Sequence, residues 1–437
     1  MESSSSLSPG QPQAAADRTP AENRNGLSAA LSEKYRRVRG QTVALCAALS
    51  AEDATVQSMP DASPAKWHLA HTTWFFDEFV LRAAHGGSVA PEVWRYLFNS
   101  YYQLVGPMHT RSQRGLLSRP GLAQVLDYRE RVDAQMERLI DGMQPDNTVA
   151  ERVILGLNHE QRHQELILTD IQHLLWLNPL QPAYRGRAQT IARTAAPLRF
   201  VRGSDGLAQI GHCGCTFAFD NEQPRHDVLL HPHALANRLV SNGEYLEFVR
   251  EKGYRTPTLW LAAGWDTVQQ QAWGRPLYWS ADLQTRFTLD GQRPLDPHAP
   301  VCHLSFYEAD AFARWAGARL PTEFEWEVAA ASVAMDGNFL EGGALQPLAA
   351  AGDVGDHPLQ MYGDVWEWTC SPYVGYPGFK PTSGAIGEYN GKFMSDQWVL
   401  RGGSCATPRD HMRATYRNFF PAHARWQFAG VRLARDA

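Results

Sequence analysis

Two histidines four residues apart, His159 and His163, lie in a long run of helical character and constrain the fold of this chain more than any other feature. Residues spaced by four project from one face of an α-helix, so both imidazoles can reach a single metal ion. Glu165 follows His159 by six residues and lies off that face, where it is a poor third ligand and a plausible partner of a ligand. A third ligand should therefore come from a second helix.

The segment from Trp67 to Trp74 is the best source of that ligand, because it is apolar and aromatic, has helical character and contains two histidines. The spacing alone does not separate His68 from His71. It also leaves the metal open, since imidazole binds iron, zinc, copper and nickel. A histidine pair at this spacing is often structural, but the second histidine-containing helix favours a metal site.

Four segments with apolar residues at spacings of three and four predict a four-helix bundle. These segments are residues 31–49, 67–84, 121–143 and 148–177. Residues 1–27 are rich in Ser, Pro, Ala, Gln and Asn and are predicted to be disordered, so the bundle domain is assigned to residues 28–177. Residues 178–197, with several prolines and few anchoring side chains, are predicted to be a linker.

Residues 198–437 predict a second domain of a different kind, a loop-rich α+β domain. Short strand-like pieces are separated by Gly, Pro, Asn and Asp turns, and helices are expected at residues 307–316 and 323–331. Two domains are also what a chain of 437 residues should form. No sustained repeat, GxGxxG motif or P-loop is present, so a nucleotide cofactor has no visible site.

The composition favours a small-molecule substrate. A formal net charge of -5 without a basic patch argues against a nucleic-acid partner, and no apolar run is long enough to span a membrane. The six cysteines show no CxxC spacing and no secretory segment begins the chain, so a cytoplasmic location is expected. The 14 tryptophans suggest aromatic-lined interiors or pockets.

Four ordered motifs in the second domain carry a family resemblance. They are GARLPTEFEWE at 317–327, GDVWEWT at 363–369, LRGGS at 400–404 and GVRL at 430–433. These motifs resemble the formylglycine-generating-enzyme-like domain, which has a C-type-lectin-like fold. Together with a DinB-like bundle that carries the histidine pair, the chain from about residue 30 to 435 resembles the iron-dependent sulfoxide synthases of ergothioneine biosynthesis and their relatives, including selenoneine synthase.

The resemblance implies an α+β fold class, with an N-terminal DinB-like four-helix bundle followed by a C-type-lectin-like domain. The three-histidine iron site of the family falls on His71, His159 and His163, which leaves His68 to pack against or support a ligand. The expected cofactor is Fe(2+), because zinc cannot perform the redox chemistry that the family catalyses. Dioxygen is then a substrate.

The acceptor substrate in this family is hercynine, the trimethylated betaine of histidine, whose quaternary ammonium group needs aromatic faces. The resemblance places Asn418 at the carboxylate or ammonium group of the acceptor and Phe419 against its methyl groups. Trp426 and Phe428 could complete that wall, although core packing explains these two rings equally well.

Two further segments carry candidate site residues. Residues 99–102 are similar to a family motif, and the family uses a tyrosine beside the metal as a donor of a proton or hydrogen atom, so Tyr101 or Tyr102 is expected to have this role. Arg111 and Arg114 lie in a loop where arginines of thiol-using relatives bind the carboxylate of the donor. The alternative for these arginines is a solvated loop.

Departures from the family pattern bear on the donor. Arg162 replaces a glutamine of the thiol-using members, and a permanent cation there either binds a carboxylate or reshapes the room around the substrates. Phe420 replaces an acid that in some relatives binds the amino group of γ-glutamylcysteine, so that dipeptide is not the expected donor. Segments 211–215 and 392–397 also diverge. The resulting prediction is oxidative formation of a C–Se bond between a selenosugar and hercynine; the alternative is a C–S bond with cysteine, giving hercynylcysteine sulfoxide.

Three other classes of function stay open at this point. A copper-dependent formylglycine-generating enzyme needs a close cysteine pair, which residues 413–417 lack, although Cys370 and Cys405 could form one. A lectin-like fold can also be a non-catalytic binding module. Finally, residues 159–163 satisfy the HExxH pattern of zinc hydrolases, with Glu160 as the general base. Four ordered motifs in a second domain outweigh that single five-residue pattern.

Overall fold

The computed structural model describes residues 20–143, 148–186, 193–214, 216–350 and 357–437. The helices are α1 (Pro20–Cys46), α2 (Ala65–Phe76), α3 (Arg82–His85), α4 (Glu92–Phe98), α5 (Leu122–Asp141), α6 (Thr148–Leu177), α7 (Asn242–Arg250), α8 (Ala262–Gln270), α9 (Phe306–Trp315) and α10 (Glu323–Ala331). The strands are β1 (Phe200–Arg202), β2 (Gly206–Ile210), β3 (His226–Leu230), β4 (His233–Ala236), β5 (Thr285–Thr288), β6 (Gly291–Pro294), β7 (Trp366–Pro372), β8 (Gln397–Arg401), β9 (Asn418–Pro421), β10 (Ala429–Gly430) and β11 (Ala434–Asp436).

The long helices α1, α2, α5 and α6 pack together in the N-terminal half, which confirms the predicted bundle. Their apolar faces bury a cluster that includes Tyr35, Phe76, Tyr128 and Leu157. Helix α1 begins at Pro20, so residues 20–27 are helical where the sequence predicted a disordered tail; residues 1–19 of that tail lie outside the described residues. In the described part of the chain, no helix is long and apolar enough to cross a membrane.

The second domain has the predicted mixture of short strands and helices. Strand β7 is paired with β8 and β8 with β9, both antiparallel, while β10 joins β7 in parallel. A second sheet has the order β1-β4-β11, and β2-β3 and β5-β6 form separate antiparallel pairs. The four-stranded sheet is the element that faces the bundle, because strand β9 and the segment before β8 line the cavity described below.

Buried ion pairs bring the four sequence motifs of this domain together. Arg401 of the LRGGS motif contacts Glu323 at 2.8 Å and Glu327 at 2.9 Å, both in the first motif. Arg432 of the last motif contacts Glu367 of the GDVWEWT motif at 2.7 Å. Since an unpaired charge in a protein interior is costly, each motif depends on its partner motif for a counter-charge. The charged residues of the motifs therefore hold the fold together and do not line the cavity.

Helices α7 and α8 were not predicted from the sequence. The start of α7 had a readable signal, because Ser241 caps the helix and accepts a hydrogen bond from the backbone N–H of Glu244. The expected linker also has more anchors than its composition suggested. The Tyr184 hydroxyl donates to the carbonyl of Leu45 at 2.7 Å, and Arg185 pairs with Asp290 at 2.7 Å.

Glu165 joins helix α6 to the second domain. The sequence had suggested that it supports a ligand histidine, and the structure does not place it there. Its carboxylate accepts hydrogen bonds from the indole of Trp366 at 2.7 Å, from the hydroxyl of Thr407 at 2.7 Å and from Ser404. Burial raises the pKa of Glu165. The helix that carries the histidine pair is thus fixed directly to two of the four motifs.

Candidate metal centre

Helices α2 and α6 bring His71, His159 and His163 together in the bundle interior. One ring nitrogen from each side chain lies within 4.8 Å of the others, and all three residues are buried. The Nε2 atoms of His71 and His159 are 3.2 Å apart. The structure thus brings the three predicted ligands to one point, with His68 beside the group and outside it.

The histidines fit a metal ion because their rings are neutral and oriented. Burial lowers the pKa of His159 to about 3 and lowers the pKa values of His71 and His163 well below the ordinary range. A neutral imidazole offers a lone pair to a metal without competition from a proton. The Nδ1 of His71 donates to the backbone carbonyl of Phe98 at 2.6 Å, which leaves its Nε2 free to bind.

Glu160 points away from this group, which removes the basis for a zinc-hydrolase reading of residues 159–163. Its carboxylate contacts Arg39 at 2.8 Å, accepts from Thr42 at 2.6 Å and pairs with Arg129. Burial by itself would raise the pKa of Glu160, but the two arginines and the hydroxyl outweigh it and lower the pKa to about 2. A carboxylate this acidic and fully engaged is a poor general base.

A cavity of about 280 Å³ opens beside the histidines between the two domains. It is closed on one side by the bundle and on the other by the sheet of the second domain, so neither domain forms it alone. The residues that line it are Asp61, Ser63, Trp67, His68, Ser100, Tyr101, Arg111, Arg114, Arg162, His163, Leu166 and Asp170 from the bundle, and Tyr389, Phe393, Gln397, Phe419, Phe420, Pro421, His423 and Trp426 from the second domain.

Arg162 brings a positive charge into this cavity, one residue before His163. Its guanidinium carbon lies 4.8 Å from the ring centre of Phe419 and 5.8 Å from that of Tyr389. Within the described ranges, no carboxylate forms an ion pair with it. Aromatic faces stabilise a cation only partly, so this charge is suited to an anionic group of a ligand.

The two candidate tyrosines differ in position. Tyr101 lines the cavity, whereas Tyr102 is fully buried behind it against Trp74 and Phe79. Their hydroxyl oxygens are 3.4 Å apart, and burial raises the pKa values of both well above the ordinary range. Both hydroxyls therefore keep their protons at neutral pH, and Tyr101 is the one with access to a ligand.

Tyr389 lines the cavity together with Tyr101, and the sequence did not single it out. Its ring centre lies 5.6 Å from that of His159, and its buried hydroxyl has no hydrogen-bond partner of good geometry in the described chain. Burial raises its pKa, and the nearby Arg162 guanidinium partly offsets that rise. It comes from a short loop of the second domain, and nothing in its sequence neighbourhood indicates proximity to a helix of the bundle.

Arg111 and Arg114 both line the cavity but are held by their own chain. Arg114 donates to Ser63 at 2.9 Å and to Ser100 at 3.1 Å, and its guanidinium carbon lies 3.4 Å from the ring centre of Trp67. Arg111 donates to the backbone carbonyl of Asp61. The alternative of a solvated loop is therefore wrong for Arg114, which is buried.

Two of the three rings predicted for the aromatic wall line the cavity, but Phe428 and the predicted polar residue Asn418 do not. Phe419, Phe420 and Trp426 line the cavity, with the last two rings 5.8 Å apart at a steep angle. Asn418 is not among the lining residues, and its side-chain oxygen accepts the backbone N–H of Phe419. Phe428 packs against His303 at 4.9 Å in the core and is likewise absent from the wall.

The described cysteines give no sign of a copper-binding pair of Cys370 with Cys405. Cys405 is buried, and the thiol that influences it is that of Cys302. Burial raises the pKa of both thiols, and it raises the pKa of Cys370 to about 11. At these three positions the protonated thiol is therefore the stable form at neutral pH.

Comparison with known families divides the chain at the same place as the structure. The model of the DinB superfamily matches residues 34–167, and the model of the sulfatase-modifying factor enzyme 1-like domain matches residues 194–356 and 357–437. The first match covers the helices of the histidine site. The second covers the strands and loops that close the cavity.

Whole-chain relatives contain both parts. The chain is 34% identical to the hercynine oxygenase of Mycolicibacterium smegmatis over 87% of this chain and 92% of the relative. It is 31% identical to the hercynine oxygenase of Mycobacterium tuberculosis over 86% of this chain and 92% of that protein. The formylglycine-generating enzyme of Streptomyces coelicolor is 30% identical but matches only 51% of this chain, with 83% of its own length covered.

Proposed function

This chain belongs to the family of the hercynine oxygenases, and from this premise we propose that it is a non-haem iron(II) enzyme that couples a chalcogen donor to the imidazole ring of hercynine, with dioxygen as the oxidant. The observation that carries the proposal is the position of Arg162, a cation without a carboxylate partner in the described chain, beside three neutral, converging histidines. A substrate whose carboxylate is bound there would present its reacting ring to the metal.

His71, His159 and His163 would hold the metal, and iron bound there would supply the redox chemistry with dioxygen. The neutral state of these imidazoles is maintained by burial, so they can bind a divalent ion at neutral pH. The choice of Fe(2+) over zinc rests on the family, because the histidines alone suit several metals.

The remaining cavity residues would orient hercynine. Arg162 would bind its carboxylate, and the rings of Phe420 and Trp426 would pack against its trimethylammonium group, which has no proton to donate. Phe419 supports the Arg162 guanidinium with its face. Asn418, expected from the sequence to bind the acceptor, is not given this role because its side chain is engaged with its own backbone neighbour.

A tyrosine would supply the proton that the reduction of dioxygen requires. Tyr101 and Tyr389 both line the cavity with protonated hydroxyls, whereas Tyr102 reaches it only through the hydroxyl of Tyr101. Tyr389 is the nearer of the two to the histidine group, with its ring beside His159. We assign the donor role to this pair of cavity tyrosines.

We propose a selenosugar as the donor, so that the new bond is C–Se. Arg111 and Arg114 already donate to groups of their own chain, and Phe420 offers no charge to an amino group. A neutral sugar needs neither a carboxylate clamp nor an acid. The second candidate is cysteine, giving a C–S bond and a sulfoxide, and it is favoured by the presence of two arginines at the cavity wall.

Anaerobic loading with iron(II), followed by oxygen and hercynine, tests the proposal. Separate reactions contain selenoglucose, cysteine or γ-glutamylcysteine, and mass spectrometry identifies the product. We expect a selenium adduct with selenoglucose; a sulfoxide formed only with cysteine would replace the donor, and no product with any donor would refute the activity.

A pair of histidine variants supplies the control. His159→Ala should abolish product formation, whereas His173→Ala should retain it, because His173 lies on the same helix but is hydrogen-bonded to Ser58 at 2.8 Å, away from the cavity.

A further inference from the structure

His68 lies between the proposed metal ligand His163 and a buried carboxylate. The Nδ1 atoms of His68 and His163 are 2.8 Å apart, and the Nε2 of His68 is 3.1 Å from Oδ2 of Asp170. That oxygen also accepts the backbone N–H of Ser63 at 2.8 Å. All three side chains are at least nine-tenths buried. An unbroken chain of hydrogen bonds thus leads from a carboxylate to the histidine group.

The chemistry of the partners determines where the protons lie in this chain. A carboxylate only accepts hydrogen bonds, so Nε2 of His68 carries a hydrogen that it donates to Asp170. In the His68 tautomer with this single ring hydrogen, Nδ1 is an acceptor, and Nδ1 of His163 carries the hydrogen between the two rings. The lone pair of His163 is therefore left on Nε2.

We propose that Asp170 and His68 are positioning residues that hold His163 in the tautomer with a free Nε2 and make it a stronger ligand for the metal. This inference rests on the proposed function, because it assigns the supporting groups of the same metal centre. A ligand histidine whose other nitrogen donates to a carboxylate or carbonyl is fixed in orientation and is more basic at the binding nitrogen. Here a second imidazole transmits the effect of the carboxylate.

The three proposed ligands are supported in different ways. His71 donates to a neutral backbone carbonyl, His163 is connected to a carboxylate through His68, and Nδ1 of His159 has no hydrogen-bond partner in the part of the chain that the structure describes. Of these three, only His163 is joined by hydrogen bonds through a second imidazole to a carboxylate of the described chain, that of Asp170. Loss of His68 should consequently weaken the metal centre even though His68 is not itself a ligand.

The positions of these residues along the chain are consistent with this arrangement. His68 and His71 are three residues apart and face α6 from one side of α2, and Asp170 follows His163 by seven residues, or about two helical turns. Asp170 therefore lies on the same side of α6 as the histidine pair. The sequence does not indicate a role for Asp170, because that role depends on helix α2 placing His68 between Asp170 and His163.

Anaerobic titration with cobalt(II) tests the proposal without any turnover, because the visible absorption bands of cobalt report its ligands. We expect His68→Phe to weaken cobalt affinity about 10- to 100-fold and to shift these bands. Asp170→Asn should weaken affinity less and shift the bands in the same direction. His68→Gln should restore part of the affinity, because its amide oxygen can accept from Nδ1 of His163.

His173→Phe is the matched control. His173 is on the same helix, is buried and is hydrogen-bonded to Ser58, so this variant loses a buried contact and leaves the hydrogen bonds among Asp170, His68 and His163 in place. It should keep wild-type affinity and bands. If His68→Phe and Asp170→Asn both keep the wild-type cobalt affinity and bands, the inference is wrong, and the proposed function is unaffected.

The wild-type titration separates this inference from the proposed function. If the wild-type chain binds no cobalt or iron, the proposed function fails and the inference fails with it. If the wild-type chain binds one ion that His159→Ala cannot bind, the metal centre is supported. The His68 and Asp170 variants then test whether these two residues strengthen His163 as a ligand. If His68→Phe does not fold, the Asp170→Asn and His68→Gln titrations still give either result.

Discussion

Glu160 and Arg162 lie two residues apart on α6 and are both charged, but their surroundings are opposite in kind. Glu160 is surrounded inside the bundle by Arg39, Arg129 and Thr42. Arg162 enters the cavity between the domains, where it meets two aromatic rings and, within the described ranges, no carboxylate. The first charge is neutralised by the fold, and the second faces the cavity without a carboxylate partner among the described residues.

The difference follows from the cost of a buried charge. Removing an ion from water is expensive, and a fold can sustain it only by supplying a counter-charge or by keeping the group near a solvent-accessible cavity. Glu160 is the first case and Arg162 is the second. Both residues lie between the two histidines, each next to one of them, so position along the chain does not separate a structural charge from a charge at the site. The groups that surround each charge make that distinction.

Substitution of Glu160 should have the largest effect on stability. Glu160→Gln leaves the Arg129 guanidinium buried without a counter-charge and leaves Arg39 with Asp133 alone, and we expect the free energy of unfolding to fall by about 3–5 kcal/mol. Urea denaturation measures it. Glu151→Gln, at an exposed position of the same helix, should change it by less than about 0.5 kcal/mol. Equal values for the two variants would contradict the assignment of Glu160 to the fold.

The stability contribution of Glu160 should depend on pH with a definite sign. Its pKa is lowered from 4.5 to about 2, so the native state favours the carboxylate, and the contribution is present above about pH 4.5 and lost as the pH falls toward 2. We expect the difference between wild type and Glu160→Gln to shrink by about 3 kcal/mol over this range. Denaturation curves at several pH values test this, and a difference that grows on acidification would reverse the sign.

Substitution of Arg162 should show the opposite pattern, with an effect on the substrate and little effect on stability. Arg162→Met removes a charge that no carboxylate in the described chain neutralises, so we expect kcat/KM for hercynine to fall about 10- to 100-fold, from the loss of a charge-assisted hydrogen bond. The free energy of unfolding should not fall.

Arg152→Met is the matched control for that experiment, because Arg152 is on the same helix and donates to the backbone carbonyl of Phe79, remote from the cavity. It should leave kcat/KM unchanged. If Arg162→Met instead destabilised the protein by 3 kcal/mol or more with kcat/KM intact, both charges of this helix would belong to the fold.

A charge nearer the surface should give the smallest effect. Glu388 accepts the backbone N–H groups of Gln103 and Leu104 at 2.9 and 2.8 Å and pairs with Lys392 at 3.0 Å, and so connects the loop of Tyr389 to the loop of Tyr101. Because the Glu388 side chain is 16% exposed and Gln keeps one acceptor, Glu388→Gln should cost about 1 kcal/mol or less.

Urea denaturation and turnover of the same Glu388→Gln sample give the two relevant numbers. A modest loss of turnover with nearly unchanged stability would show that this link positions the tyrosines. A destabilisation as large as that of Glu160→Gln would mean that exposure does not set the scale of these effects.

Much of the bundle could be predicted from the sequence because helical periodicity is local. The apolar spacing gave α5 and α6 to within a few residues, and the four motifs identified the second domain. Helices α7 and α8 were missed because they lie among turn-forming residues, whereas α10, which has the same length of nine residues, was predicted. Short helices of this kind take their stability from the packing around them and not from their own pattern.

The sequence by itself determined that His159 and His163 share a face, because 3.6 residues per turn fixes that relation wherever the helix lies. Only the tertiary structure decided between Glu160 and Arg162, moved Asn418 off the cavity wall, and added Tyr389 and Asp170 to the site. Most of these outcomes depend on partners that are tens or hundreds of residues away, although Asn418 is engaged by its own neighbour, Phe419. Local spacing fixes the direction of a side chain from its own helix, whereas burial and counter-charge come from whatever the rest of the chain brings to that direction.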